Sequence, residues 1–110
     1  MTILTSHILN GTDGTHAGDI KVTFSKLGGS KIFETKTDEA GRLRSEINPS
    51  KIDSFATYEL VFETKPYWIK RGFKQIMDQI VLRFKILDPS FDYHMPIIIS
   101  PNSYSAWWSK

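Results

Sequence analysis

Apolar and polar side chains alternate along Tyr58-Glu59-Leu60-Val61-Phe62-Glu63, with Tyr58, Leu60 and Phe62 in one register. Successive side chains of a β-strand point to opposite faces, so this period of two predicts a strand with one buried face. The same alternation occurs at residues 20–24 and 80–86. Further short strands are predicted at Thr2–Leu9, Ile32–Thr35, Arg42–Ile47, Tyr93–Ser100 and Tyr104–Ser109.

Turn-forming residues separate these runs, among them Asn10-Gly11, Gly28-Gly29, Ala40-Gly41 and Asp88-Pro89-Ser90. About eight strands at this spacing predict an all-β sandwich or barrel that occupies residues 1–110 as a single domain. The predicted exception is a two-turn helix over Pro66–Arg71, capped by Thr64 and ended by Gly72. A second short helix is weakly indicated at Lys74–Gln79.

Composition fits a folded domain and excludes several functions. Of 110 residues, 40% are hydrophobic and 13% aromatic, which is enough for one core. The 14 basic and 12 acidic residues form no Lys/Arg cluster, so a nucleic-acid partner is not expected. The absence of cysteine excludes disulfides, thiolate nucleophiles and cysteine-based metal sites. No apolar stretch approaches the ~20 residues of a membrane span, and Met1-Thr2-Ile3-Leu4 does not resemble a signal peptide. We therefore expect a cytoplasmic protein without a membrane partner.

The three histidines are the candidate general bases, because no cysteine is available and imidazole titrates near neutral pH. Alternation in the first strand predicts that Thr5, His7 and Leu9 share one face. His94 begins the isoleucine-rich strand. His16 lies in a Gly/Thr/Asp turn, where we expect exposure and assign no role. The alternative for each is a structural histidine that is hydrogen-bonded to a neighbour.

Two other features suggest binding. Arg42 follows the turn residue Gly41, where its guanidinium can clamp an anion or oxyanion, although a solvated charge is the common alternative. Trp107 and Trp108 lie in a predicted edge strand, where adjacent side chains point opposite ways. One indole is expected to reach the core, and the other to meet solvent, a partner subunit or a ligand.

Three stretches together resemble the transthyretin-like family, whose enzymatic branch hydrolyses 5-hydroxyisourate. Residues 4–10, LTSHILN, are similar to the family's opening strand with S-x-H-[VI]-L. Residues 37–42, TDEAGR, are similar to its T-D-x-D-G-R turn. Residues 93–105, YHMPIIISPNSYS, are similar to its Y-H-V-P-L-L-L-S-P-x-x-Y-S motif. The likeness extends in order from residue 4 to about residue 106.

The resemblance implies an eight-stranded transthyretin-like sandwich with one short helix. It also implies a homotetramer whose active sites lie in a channel between dimers, and an enzyme of purine catabolism that uses no cofactor. The family's catalytic histidine, arginine and histidine correspond to His7, Arg42 and His94. Either histidine then serves as the base that activates water, while the other donates to or orients the substrate.

The tail departs from the family, since Trp107-Trp108-Ser109-Lys110 stands where the hydrolases have Y-R-G-S. The resemblance implies that Trp107, Trp108 and Lys110 contact substrate together with His7 and Arg42. The changed tail leaves two alternatives open, a hydrolase with another substrate and a non-enzymatic protein that binds small ligands. A zinc site between histidines of different subunits is a further, weaker alternative.

Overall fold

The alternating segments form two β-sheets that face each other. The computed structural model describes residues 1–110 and contains nine strand segments: β1 (Thr2–Asn10), β2 (Lys21–Lys26), β3 (Lys31–Lys36), β4 (Arg42–Ile47), β5 (Tyr58–Phe62), β6 (Ile80–Phe84), β7 (Tyr93–His94), β8 (Ile97–Ser100) and β9 (Ser103–Ala106). One sheet has the order β4-β1-β8-β9, with β7 also paired to β1. The other has the order β3-β2-β5-β6. The predicted sandwich is therefore confirmed.

The inward faces of both sheets supply the core. Nineteen buried hydrophobic residues form one continuous cluster, in which Leu4, Ile8, Val22, Phe24 and Leu60 are fully buried. Along β1 the burial alternates strictly, so Thr5, His7 and Leu9 lie on the outer face as predicted. This alternation brings one catalytic candidate to the surface of the first sheet.

The predicted strand at Tyr93–Ser100 is interrupted at Met95-Pro96, which gives β7 and β8. Pro96 has no N–H group to donate to a ladder, so the regular pairing stops there. The Met95 amide still donates to the Thr5 carbonyl at 2.9 Å. Both halves therefore remain parallel to β1, with His94 opposite Thr5 and Ile97 opposite Ile8.

The helix expectations are partly wrong. Helix α1 spans Lys65–Lys70, and Gly72 follows it with a φ of 84°. Thr64 precedes the helix, but its side chain makes no capping hydrogen bond. No second helix forms at residues 74–79, because the amides of Ile76 and Met77 donate to Oδ1 of Asn102 at 2.8 and 3.1 Å. With six residues, α1 is far too short to span a membrane, and no other α-helix is present.

The expectation for the two tail tryptophans is wrong. Strand β9 is an edge strand, but it ends at Ala106, so strand alternation no longer governs the next residues. Trp107 and Trp108 are 49% and 55% exposed, and neither indole reaches the core.

Candidate active site

His7 and Arg42 face each other across two neighbouring strands. They are paired positions of the antiparallel strands β1 and β4, so their side chains leave the same face of the sheet. The turn before β4 fixes this register, because Oδ1 of Asp38 accepts hydrogen bonds from the amides of Ala40 and Arg42, both at 2.9 Å. Gly41 completes the turn with a φ of 73°, and its carbonyl accepts from the Ile8 amide at 2.7 Å.

Arg42 is the one arginine of the chain whose guanidinium has no partner. Arg44 contacts Glu46 at 3.2 Å, Arg83 contacts Glu59 at 2.7 Å, and Arg71 lies over the ring of Tyr67. Arg42 makes no ion pair and donates no side-chain hydrogen bond. Its fork of N–H donors is therefore free to bind an anion.

His94 joins this face from the other side of β1. It is paired with Thr5, and its Nδ1 lies 2.8 Å from the Thr5 hydroxyl oxygen. That hydroxyl also lies 3.5 Å from the Tyr93 carbonyl, which is longer than an ordinary O–H···O hydrogen bond. The Thr5 hydroxyl can therefore donate to Nδ1 of His94 or accept from it, and only the second arrangement leaves a free lone pair on Nε2.

Arg42 and His94 line one cleft of about 540 Å³. The other lining residues are mostly polar, and they are Thr5, Ser6, Thr35, Lys36, Asp38, Leu43 and Arg44. Of the three cations in this lining, Lys36 and Arg44 are paired with Asp19 and Glu46, at 3.6 and 3.2 Å. The unpaired guanidinium of Arg42 is therefore the group that suits the cleft to an anionic ligand. His7 is not part of the wall of this cleft, but it stands beside Arg42 on the same face.

The pKa of His7 is lowered below its usual value of 6.5. Burial is the largest cause, and the charge of Arg42 is next, followed by His16 and, more weakly, His94. A backbone hydrogen bond to Ala40 acts in the opposite direction. His7 therefore stays uncharged to lower pH than an ordinary histidine.

His16 was expected to be an exposed turn residue without a role. It is exposed, yet its Nδ1 lies 2.9 Å from Nε2 of His7. The turn that follows β1 folds back, so His16 forms an antiparallel bridge with Leu9. The turn residues Asn10-Gly11 and Gly14 were the available signal, because they predict that the chain reverses here.

The tail residues lie apart from the cleft within one chain. Trp108 packs against Tyr93, with ring centroids 5.9 Å apart, and the ammonium of Lys110 lies 4.3 Å from the ring centre of Phe91. Trp108 and Lys110 line a separate, mainly apolar cleft of about 330 Å³, and Trp107 lies next to Trp108 near β6. The structure thus brings His7, Arg42 and His94 together, but not Trp107, Trp108 and Lys110 with them.

The tail nevertheless reaches the site through its backbone. The amide of Ser109 donates to the His94 carbonyl at 2.8 Å, and the His94 amide donates to the Ser109 carbonyl at 2.9 Å. Sequence reasoning did not assign Ser109 a role, because the contact is made by main-chain atoms that any residue except proline supplies.

The fold is a transthyretin-like sandwich. This assignment follows from the strand order and from the parallel pairing of β1 with β7 and β8, and the two histidines and the arginine lie on the outer face of the first sheet. The sequence model of the HIUase/Transthyretin family matches residues 4–108. The chain belongs to that family.

Named relatives come from both branches of the family. A 5-hydroxyisourate hydrolase of Pseudomonas aeruginosa is 32% identical, with 94% of this chain and 88% of the relative covered. The solved structure of Klebsiella pneumoniae 5-hydroxyisourate hydrolase has a TM-score of 0.85 at 24% identity and is covered completely, as is this chain. Sea bream transthyretin, solved with thyroxine, has a TM-score of 0.84 at 26% identity, with 96% of this chain and 93% of that chain covered.

Proposed function

We propose that this protein is a hydrolase that opens the ring amide of 5-hydroxyisourate, with His7, Arg42 and His94 as its catalytic residues. The observation that carries the proposal is the convergence of these residues on one outer face of the first sheet, from positions widely separated in the sequence. The hydrolases similar to this chain over 94% of its length support the choice of substrate.

His94 is the base in this proposal. With Nδ1–H directed at Thr5, its Nε2 removes a proton from water while the oxygen attacks the ring carbonyl. A C–O bond forms and the carbonyl becomes an oxyanion. The ring C–N bond then breaks, and the leaving nitrogen takes the proton held by His94.

Arg42 stabilises negative charge in this proposal, and His7 orients the substrate. The unpaired guanidinium binds the anionic, urate-like ring and stabilises the oxyanion, since a preorganised donor is most effective where charge develops. His7, held neutral beside Arg42, orients the substrate ring without adding a second positive charge.

We further propose a homotetramer in which a channel between dimers completes each site. In this arrangement Trp107, Trp108 and Lys110, which lie apart from the cleft in one chain, contact the substrate across subunits. Light scattering after size-exclusion chromatography should then give about 50 kDa for four copies of the 12.6 kDa chain. A monomer would contradict this part of the proposal. The cytoplasmic location stays a prediction.

The function is tested by following the ultraviolet absorbance of 5-hydroxyisourate, generated in place by urate oxidase. The protein should accelerate its loss above the spontaneous rate, with and without a chelator. Single variants His7→Asn, Arg42→Gln and His94→Gln should each lose about 10²-fold or more of the rate and keep the oligomeric mass. If all three variants are as active as the parent, the site assignment is wrong.

A second candidate is a protein that binds a small aromatic ligand without turning it over. The apolar cleft beside Trp108 and the tail's departure from the hydrolase pattern favour it. Calorimetry with thyroxine distinguishes the two, because stoichiometric binding without any hydrolase activity would support the carrier. A hydrolase acting on another cyclic amide would neither bind thyroxine nor hydrolyse 5-hydroxyisourate.

A further inference from the structure

His16 is a titratable side chain that contacts the proposed site but has no part in the reaction described above. Its ring and that of His7 have centroids 5.0 Å apart and planes inclined by 32°. The backbone bridge between His16 and Leu9 holds the turn against β1. The imidazole–imidazole contact is therefore set by main-chain pairing as well as by the side chains.

The neighbours of His7 determine where its proton lies. A hydrogen bond between Nε2 of His7 and Nδ1 of His16 needs a proton on one nitrogen and a lone pair on the other. Either ring can be the donor. If His16 donates from its Nδ1, neutral His7 keeps its own proton on Nδ1, where it is available to donate to a substrate.

We propose that His16 is a positioning residue, which fixes the ring orientation and the tautomer of His7 by donating a hydrogen bond from Nδ1 to Nε2 of His7. The effect on catalysis rests on the proposed hydrolase function, whereas the effect on the tautomer does not. With Nε2 engaged by His16, neutral His7 keeps an N–H at Nδ1 for orienting the substrate, and His94 serves as the base of the proposed reaction.

The charges around His7 agree with this role. Arg42 on β4, His16 in the β1–β2 turn and His94 on β7 are the charged or titratable groups that act on His7, and each favours its neutral form. A hydrogen bond donated to Nε2 must also be lost when that nitrogen is protonated. His16 thus opposes protonation of His7 in two ways, through its electrostatic effect and through the hydrogen bond that it donates to Nε2.

Two variants separate the hydrogen bond from mere packing. In His16→Asn, the amide Nδ2 takes the place of Nδ1 at the same distance from Cβ, so it can donate without titrating. In His16→Ala the donor is lost. Nitrogen-15 spectra of the imidazole rings, recorded without substrate, both with and without a chelator, between about pH 5 and 8, report the tautomer and titration of His7.

The parent protein and His16→Asn should show His7 protonated at Nδ1 in the neutral state. His16→Ala should show a mixture of tautomers and a pKa of His7 that rises towards its ordinary value. Identical His7 signals in all three proteins would overturn the proposal. So would a parent spectrum that changes on chelation, because a metal ion would then join the two rings.

Kinetics with 5-hydroxyisourate provide a second readout. His16→Ala should lower kcat by about tenfold with little change in KM, and His16→Asn should stay within about threefold of the parent. An equal decrease of kcat in both variants would mean that His16 only packs the turn, which contradicts a positioning role. A parent protein without activity, but with the expected tautomer differences, would refute the hydrolase function and support the role of His16.

Discussion

Nδ1 of His94 lies 2.8 Å from Oγ1 of Thr5, and the two residues are paired positions of parallel strands. Strand pairing thus places an acceptor beside the nitrogen that must carry a proton if Nε2 is to act as the base. Such a partner fixes both the tautomer and the direction of an imidazole.

We expect Thr5→Val to lower kcat by about tenfold, since the side chain keeps its shape but loses the hydroxyl that fixes His94. Thr5→Ser, which retains the hydroxyl, is the matched control and should stay within about threefold of the parent. Stopped-flow assays across pH check both variants. Equal rates for the valine and serine variants would show that Thr5 does not position His94.

The outward placement of His7 could be predicted from the sequence, whereas its partner could not. Alternation along residues 4–9 is a local property of one strand, and the burial pattern of β1 follows it. The pairing of His7 with Arg42 depends on how β1 and β4 align after a separation of more than thirty residues. Local periodicity contains no such information, and here the family motifs supplied the connection.

In the C-terminal tail, the alternation of side chains along a strand no longer predicts their orientation. Pairing in β9 ends at Ala106, and beyond it the backbone is held by the Trp107 amide, which donates to the Pro96 carbonyl at 3.3 Å, and by the isolated bridge between His94 and Ser109. Trp108 stacks on Tyr93, and both indoles line a cleft together with residues of β6, so their orientations depend on these surroundings rather than on a ladder. These contacts are long-range, and a reading of adjacent residues could not supply them.

Arg42→Gln should lower kcat/KM by about 10²- to 10³-fold, because we propose the unpaired guanidinium as the donor that binds the anionic substrate in the cleft. The matched control is Arg83→Gln, which removes an arginine that bonds to Glu59 on the other sheet and should change kcat/KM by less than about twofold. A comparable loss in both variants would indicate a general effect of net charge rather than a specific site.

The same Arg42→Gln variant should raise the pKa of His7, since Arg42 is the largest cause of its depression after burial. Because the folded chain binds fewer protons at His7 than the unfolded chain does, stability falls as the pH drops through 6.5 towards the depressed value. In Arg42→Gln, the pH range over which His7 lowers the stability of the folded chain should therefore be narrower. Proton NMR titration of His7 checks the direction, and an unchanged pKa would contradict the electrostatic coupling.

Gly41→Ala should lower the free energy of unfolding by about 2–4 kcal/mol. Gly41 has a φ of 73°, and an added Cβ would overlap the Ile8 carbonyl oxygen and lie 3.1 Å from the Ala17 amide nitrogen. Gly28→Ala is the matched control, because Gly28 has a φ of 71° but open space around its Cβ position. That control should cost about 1–2 kcal/mol. Urea unfolding measures both, and equal losses would show that close packing at Gly41 does not matter.

Ser109→Pro should reduce kcat by about tenfold and stability by about 1 kcal/mol, because proline removes the amide that donates to the His94 carbonyl. Ser109→Ala keeps both backbone hydrogen bonds and should be several times more active than the proline variant. Thermal unfolding and the ring signals of His94 should be measured together, since a displaced histidine changes its chemical shifts even where the fold survives. If the proline variant matches the alanine variant in rate and spectrum, Thr5 and the pairing of β7 with β1 hold His94 without help from the tail.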